Sequence, residues 1–345
     1  MSPNLALSLS VLDQCPVPAG SSAEHALAAS LALAEAAERL GYRRYWAAEH
    51  HNTDSLASVS PEILVATVAA RTSSTRVGSG GVLLPHYSPL KVAENFRMLE
   101  ALHPGRIDLG VGRAAGTDPV TEAALQYRPG ALGDEHFGQK VVDLLGFLDG
   151  TLAADHPYAA ARALPRSGAG AAGPEVWILG SSSNGAAAAA YLGLPFAFAH
   201  FITARFGPQI MRSYRKGFTP SARLAAPQAS VAVAVMCADT DAEADRLAAS
   251  TARWRLRPEG PGRGPLLPPD EALSAPLSDL DQAKVRQKRE GIIAGGPERV
   301  RRELTGLAAD FGVAELMVVT VCHDLAARQR SYELVAEAFR DDRGP

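Results

Sequence analysis

The feature that most constrains this chain is a rhythm: apolar runs of strand length alternate with amphipathic, Ala-rich stretches along nearly its whole length. Parallel strands need a crossover between them, and a helix is the usual crossover, so strand-then-helix order marks βαβ units. Such strands are buried on both faces, which is why they read as near-continuous apolar runs. The candidate strands are Leu5 to Leu12, Tyr45 to Ala48, Val77 to Leu84, Ile107 to Val111, Val176 to Gly180, Phe196 to His200, Val231 to Met236 and Leu316 to Val321. About eight such units predict an α/β fold, a closed (β/α)8 TIM barrel. An open doubly wound sheet would give a similar linear pattern, so strand number carries the choice.

The intervening helices are punctuated where helices should be. Ser22 to Leu40 has Ser22 as N-cap and Gly41 just past its end, and Pro61 to Arg71 and Pro297 to Phe311 carry proline in the first turn. Leu90 to Leu102, Lys140 to Leu148, Ala186 to Leu192, Ala242 to Leu256 and Ala326 to Phe339 complete the set. Two Pro-, Gly- and Ala-rich stretches, Ala153 to Pro174 and Arg257 to Pro276, lack either period and predict long loops. The second leaves the barrel between strands seven and eight, where it is either a mobile lid or a tolerated surface insertion. Barrels of roughly 250 residues grow by such insertions, so the 345 residues fit a single domain over 1–345.

Composition excludes several classes. Hydrophobic residues at 47% and charged residues at 21% belong to a folded globular chain rather than a disordered one. A net charge of -3 attracts no polyanion, and the basic run from Lys284 to Arg302 is interleaved with Glu290 and Glu298 on what reads as a solvated helix face, so no nucleic-acid partner is expected. Cys15, Cys237 and Cys322 are odd in number and far apart, which predicts neither disulfides nor a metal site and fits a reducing cytoplasm. No basic leader and no run near the ~20 apolar residues of a membrane span is present, so neither export nor a membrane anchor is expected.

Four constellations could carry chemistry. Trp46-Ala47-Ala48-Glu49-His50-His51 ends a strand at the rim where barrel enzymes keep their active sites. Neighbouring residues on a strand face opposite ways, so His50 and His51 would not grip one metal together, and one of them is expected to meet a ligand. Val77-Gly78-Ser79-Gly80-Gly81-Val82 is a strand thinned by glycines, either for a barrel corner or for a flat ligand against bare backbone. Ile107 to Gly116 opens from a strand into a Gly-x-Gly-x-x-x-Gly turn bearing Arg113. That spacing misses the dinucleotide fingerprint by one residue, but Arg113 offers a fork of donors suited to phosphate. In the fourth, Val176 to Gly185, a strand runs through Gly180, Ser181, Ser182, Ser183 and Asn184 into an alanine helix. A helix start reached through hydroxyls presents backbone N–H groups and a positive dipole end to an anion.

At these places together the chain resembles the bacterial-luciferase-like flavin oxidoreductases, and within them the subgroup whose members begin Ser-Val-Leu-Asp-Gln, matching Ser10 to Gln14. Further markers are GYRRYWAAEHHN at Gly41 to Asn52, VGSGGVLLPHYSPLKVAENF at Val77 to Phe96, HPGRIDLGVGRAAGTD at His103 to Asp118 and LGLPFAFAHF at Leu192 to Phe201. The resemblance implies a catalytic histidine at His50, near the reactive edge of a flavin, with Glu49 beside the cofactor. It puts the family's non-proline cis peptide on Gly80 and Gly81 and the phosphate grip on Arg113 and the Ser181 to Ser183 turn. Cys15 and His200 depart from the subgroup's usual residues and are expected near the cavity, where they would influence substrate choice.

The activity so implied is an FMN-dependent monooxygenase: reduced FMN (FMNH2), delivered by a separate flavin reductase, and O2 act on a small organic substrate. Relatives of the same fold use the deazaflavin F420 for hydride transfer, and others have lost activity and are non-catalytic. A homodimer is also implied.

Overall fold

The computed structural model describes residues 7–114, 116–127, 136–166, 173–257 and 260–340. Among these, nine strands form one parallel sheet: β1 Ser8–Asp13, β2 Arg44–Ala47, β3 Arg76–Leu83, β4 Ile107–Gly112, β5 Glu175–Gly180, β6 Phe196–Ala199, β7 Ala229–Cys237, β8 Ile292–Gly295 and β9 Glu315–Val319. Pairing runs in chain order from β1 to β7. The ring then skips β8, with β7 paired to β9 (Val231 with Leu316) and β9 to β1 (Ser8 with Glu315). Eight strands thus close a barrel with helices between them, the (β/α)8 TIM-barrel architecture. The nine-residue β7 is long enough to serve two partners, β9 along Val231 to Ala234 and β8 along Ala234 to Cys237.

Every strand expected from the sequence is a barrel strand, although Leu5 and Ala6 lie outside the described residues. The additional β8 has only four residues, too few to display a period. Helices Pro61–Arg71 and Pro297–Phe311 agree with expectation at both ends, and Ser22 caps Ala23–Arg39 by accepting from the His25 amide. Helices Pro119–Leu125, Gly207–Gly217 and Pro269–Ser274 were not expected, and of Asp279–Glu290 only the basic, solvated face was. Asp279–Glu290 buries no residue, so it has no apolar stripe for periodicity to find, and its basic side chains form the expected solvated face. Within the stretch expected to be a long loop, Leu266 is fully buried and its carbonyl accepts from the Ala19 amide at 2.9 Å. That anchor pins the middle of the segment. None of the helices described is long and apolar enough to cross a membrane.

Strand alternation sorts the core into two layers. Tyr45 and Ala47 pack in the large layer between strands and helices, whereas Trp46 packs inside the ring with Leu12, Trp177, Ala232 and Met317. At the N-terminal end of the ring, Arg44 donates through Nε to Glu315 (2.9 Å) and through Nη1 to Asp108 (2.9 Å) and Glu175 (3.4 Å). Arg76 Nε reaches the other oxygen of Asp108 at 2.8 Å, and Ser10 Oγ donates to Glu315 at 2.6 Å. Above this plug Trp46 and Trp177 meet edge to face, centroids 5.4 Å apart, donating their Nε1–H groups down to Asp108 (2.9 Å) and Glu175 (2.8 Å).

Removing the cation would strand buried carboxylates, which costs about 3–5 kcal/mol. Arg44→Met is therefore expected to lower unfolding stability by about that amount in urea titrations. A midpoint equal to that of the parent would show that the plug is dispensable.

Candidate active site

The C-terminal end of the ring opens into a cavity enclosing about 1230 Å³ of empty space, mouth included. Its floor and apolar wall come from Leu12, Trp46, Leu179, Ala197, Ala232 and Met317, contributed by six different strands. On its rim stand Glu49, His50, Gly80, Gly81, Arg113, Gly180, Ser181 and Ser182. Ser183 does not line the cavity. It is the first residue of helix Ser183–Leu192, whose N-cap is Ser182 in extended conformation without a side-chain capping bond.

The peptide between Gly80 and Gly81 is cis. A Cβ on Gly80 would fall 2.5 Å from Leu12 Cδ1 and 2.9 Å from Trp46 Cβ, and one on Gly81 would fall 2.8 Å from the Gly110 carbonyl oxygen. Both glycines are thus demanded by the closeness of their neighbours, while the same bare backbone forms part of the cavity wall. The packing reading is thereby met, and the glycine backbone also faces the cavity.

His50 and His51 part company as strand alternation requires. His50 is buried against the cavity, its backbone N–H donating to Ser58 at 3.0 Å. His51 turns aside, Nε2 lying 2.7 Å from Glu49 Oε1. Glu49 is the local hub: it also accepts from Tyr87 Oη at 2.6 Å and from the Leu83 amide at 2.9 Å, two residues past the cis-bonded pair. Burial and the Glu49 charge push the Tyr87 phenol well above its usual range, so it remains a donor. Lys140 fastens the same turn by donating to the carbonyls of Pro85 (2.7 Å) and Tyr87 (2.9 Å). Glu49 therefore ties β2 to the segment after β3.

Tyr87 lies within the motif from Val77 to Phe96 yet carries no signal of its own there, because nothing in a linear pattern shows that a tyrosine after β3 meets a carboxylate after β2. Gln14, Phe137 and Phe201 line the cavity as well. Phe137 and Phe201 carry no signal beyond apolar character.

Cys15 stands next to the cavity residue Gln14 but does not itself line the wall. Cys15 is buried outside the cavity wall with φ 50°, and its amide donates to Asp13 Oδ1 at 2.6 Å. Burial and the Asp13 charge push its thiol up to about 12, so it is a neutral packing group. Asp13 also receives Tyr45 Oη and, at 2.5 Å, Arg328 Nη2. Burial alone would raise the Asp13 carboxyl, but the Arg328 charge and these bonds hold it below its usual range. His200 stands near the cavity, in an adjoining chamber, against Phe311 at 5.8 Å, with burial lowering its pKa.

A family model described as luciferase-like monooxygenase matches residues 8–315. The chain is similar to a luciferase-like monooxygenase of Escherichia coli (strain K12), 40% identical over 332 residues and covering 96% of both chains. It is 35% identical over 336 residues to N-acetyl-S-alkylcysteine monooxygenase of Bacillus subtilis (strain 168), covering 96% of this chain and 97% of that one. The crystal structure of apo-MsnO8 aligns with TM-score 0.87 at 43% identity, over 97% of this chain and 98% of that chain. Two more distant structures share the fold alone. One is the oxygenating constituent of 3,6-diketocamphane monooxygenase of Pseudomonas putida in complex with FMN, with TM-score 0.69, 20% identity and 98% coverage of each chain. The other is the coenzyme F420 dependent tetrahydromethanopterin reductase of Methanopyrus kandleri, with TM-score 0.65, 13% identity and coverage of 96% and 97%.

A Glu49→Gln side chain cannot accept at both of the oxygens that Leu83, Tyr87 and His51 now use. It is expected to cost about 1–3 kcal/mol in thermal or urea melts. Hydrogen exchange at the Leu83 amide should accelerate correspondingly. An unchanged exchange rate would show that the carboxylate does not hold this turn.

Proposed function

The chain belongs to the luciferase-like monooxygenase family, and from that membership we propose that it is an FMN-dependent monooxygenase acting on a small organic substrate with O2. The observation that carries this reading is convergence: the ends of β2, β3, β4 and β5 bring His50, the Gly80–Gly81 backbone, Arg113 and Ser181–Ser182 to one cavity. Relatives whose names include monooxygenase support the reaction class, and the Ser10 to Gln14 motif supports the subgroup. Fold likeness to an FMN complex and to an F420-dependent enzyme leaves both cofactors for test.

The residues present fit a flavin. The flat ring system has a wall without side chains at Gly80 and Gly81, over an apolar floor at Leu12 and Trp46. The phosphate would be held by Arg113, the Ser181 and Ser182 hydroxyls and the first turn of helix Ser183–Leu192, with bare backbone at Gly180, which ends β5, and at Gly185 in the helix. Reduced FMN, when bound, supplies the electrons with which O2 is activated for transfer of one oxygen atom to the substrate. His50 holds a proton-transferring imidazole at the cavity wall. Glu49 is a positioning residue, since its oxygens are engaged by His51, Tyr87 and Leu83. Leu12, Leu179 and Met317 exclude water from the reacting end. A separate reductase delivers the reduced flavin, the chain works as a homodimer, and the segment from Arg257 to Pro276 serves as the lid.

Anaerobic titration with reduced FMN and with F420 tests the cofactor: tighter binding of F420 overturns the proposal. Arg113→Gln is expected to weaken FMN by about 10- to 100-fold, the worth of a charge-assisted phosphate contact, while leaving riboflavin nearly unaffected. Equal losses for FMN and riboflavin would place the phosphate elsewhere. For His50→Asn, FMN affinity should stay within about twofold of the parent, while re-oxidation of bound reduced FMN by O2 changes by at least about tenfold in stopped-flow absorbance. An unchanged rate removes His50 from the reaction.

A further inference from the structure

The proposed flavin grip and His50 take only one arc of the cavity wall, the ends of β2 to β5. The remaining arc of the ring, β6, β7, β9 and β1, closes the same cavity. Barrel interiors are ordinarily filled by bulky branched side chains, but here the inward positions of two neighbouring strands are small. In β6, Phe196 and Phe198 pack outward against the helices while Ala197 and Ala199 face the cavity. β7 repeats the pattern, with Val231 and Val233 outside and Ala232 inside. Strand register aligns them: Ala199 stands beside Ala232, and Ala232 beside Met317 of β9. The alanines thus form a shelf across two strands, bounded by Met317, and the bulk missing there is open cavity.

The same arc carries no charge. Among the described residues, the side chains it lends to the cavity are apolar except that of Gln14, which is neutral. The ionisable residues of the described cavity wall, Glu49, His50 and Arg113, all belong to the first arc. Charge reappears in the adjoining, cationic chamber, which meets the cavity at Gln14, Phe201 and Ile202 and is lined by Arg205, Arg257 and Lys288. A charged group set on the shelf would give up its water without gaining a counter-charge, which is strongly unfavourable.

We propose that the alanine shelf seats the substrate, an uncharged and largely apolar molecule, and that Ala199 and Ala232 set how large it can be. The assignment rests on the flavin reading, since the other arc is then taken by the cofactor. A ring or alkyl body lies on Ala197, Ala199 and Ala232 against Met317. A longer side chain on the shelf fills the space that this body needs, so bulk there discriminates between substrates by size.

Equilibrium dialysis of the FMN-loaded protein at neutral pH against 2-naphthol, 2-naphthoate and 2-naphthylmethylammonium tests the chemical class. The neutral probe should bind at least about tenfold tighter than either ion. Size is tested with phenol beside 2-naphthol. Ala232→Leu should lower the naphthol-to-phenol affinity ratio at least about tenfold, while FMN affinity stays within about twofold of the parent. Ala199→Leu, at the end of β6, should lower the ratio in the same direction, and it decides alone if Ala232→Leu fails to fold. Loss of folded protein weakens both probes alike and leaves the ratio unmoved. An ion that binds as tightly as 2-naphthol overturns the proposal, as does an unchanged ratio in the folded variants. Repeating the dialysis without flavin separates the two readings. Preference for the neutral probe in a protein that fails to bind FMN sinks the flavin assignment alone, and FMN binding without that preference sinks the substrate class alone.

Discussion

The candidate cavity depends on a charge buried at the opposite end of the barrel. A ring of eight strands has an interior that side chains must fill, and here its N-terminal third is filled by Arg44 among Asp108, Glu175 and Glu315 rather than by aliphatic layers. Such a cluster is costly to desolvate, and its members tolerate burial only while every charge is answered. It also carries bonds that an apolar layer could not: Trp46 and Trp177 are held by their indole N–H groups. The plug therefore sets the height and tilt of the cavity floor.

From that floor upward the wall is set by close approach. Glycines let β3 and β4 come together where side chains would collide, with a Cβ on Gly110 falling 2.3 Å from the Ser79 carbonyl oxygen. Backbone so exposed needs a fixed neighbour, and Glu49 supplies it by accepting from Leu83 beside the paired glycines. Beside β2 in the ring, Asp13 and Arg328 do comparable work, joining the end of β1 to helix Leu325–Ala338. Polar bonds buried at strand ends thus hold loops in place, and apolar packing holds the strands.

The distance along the chain over which residues act together decides how much of this was legible in the sequence. The strands of the ring were readable because a doubly buried strand writes its burial into consecutive residues, as Val231 to Met236 does. Helices with an apolar stripe were readable for the same reason, and Asp279–Glu290, which has none, was not. Ring closure rested on strand number, since pairing between β9 and β1 joins residues about three hundred positions apart. In the candidate site, residues on one strand end, such as Glu49 and His50, announced themselves by being polar at the close of an apolar run. Partnerships across strands did not: Tyr87 with Glu49 and Arg44 with Asp108 obey no local period. Cys15 shows the limit of nearness along the chain: it follows the cavity residue Gln14 yet does not itself line the wall, and its backbone has a positive φ.

The division of the rim explains why family is so much easier to read than substrate. Every motif that carries the family resemblance lies between Ser10 and Phe201, on β1 to β6, and those elements furnish the proposed flavin grip, with Arg113 after β4 and the serines after β5. The cationic chamber is built mostly from later parts of the chain: the turn after β6, the end of helix Asp241–Trp254, the Pro- and Gly-rich segment bearing Arg263, and the end of a helix that buries nothing. In a barrel each loop is anchored to its own strand, so one half of the rim can keep a cofactor while the other is rebuilt. Positive charge on loops without periodicity has no linear signature beyond composition. Only closure of the ring brings Trp254, Arg255 and Arg263 to the same chamber as Gln14.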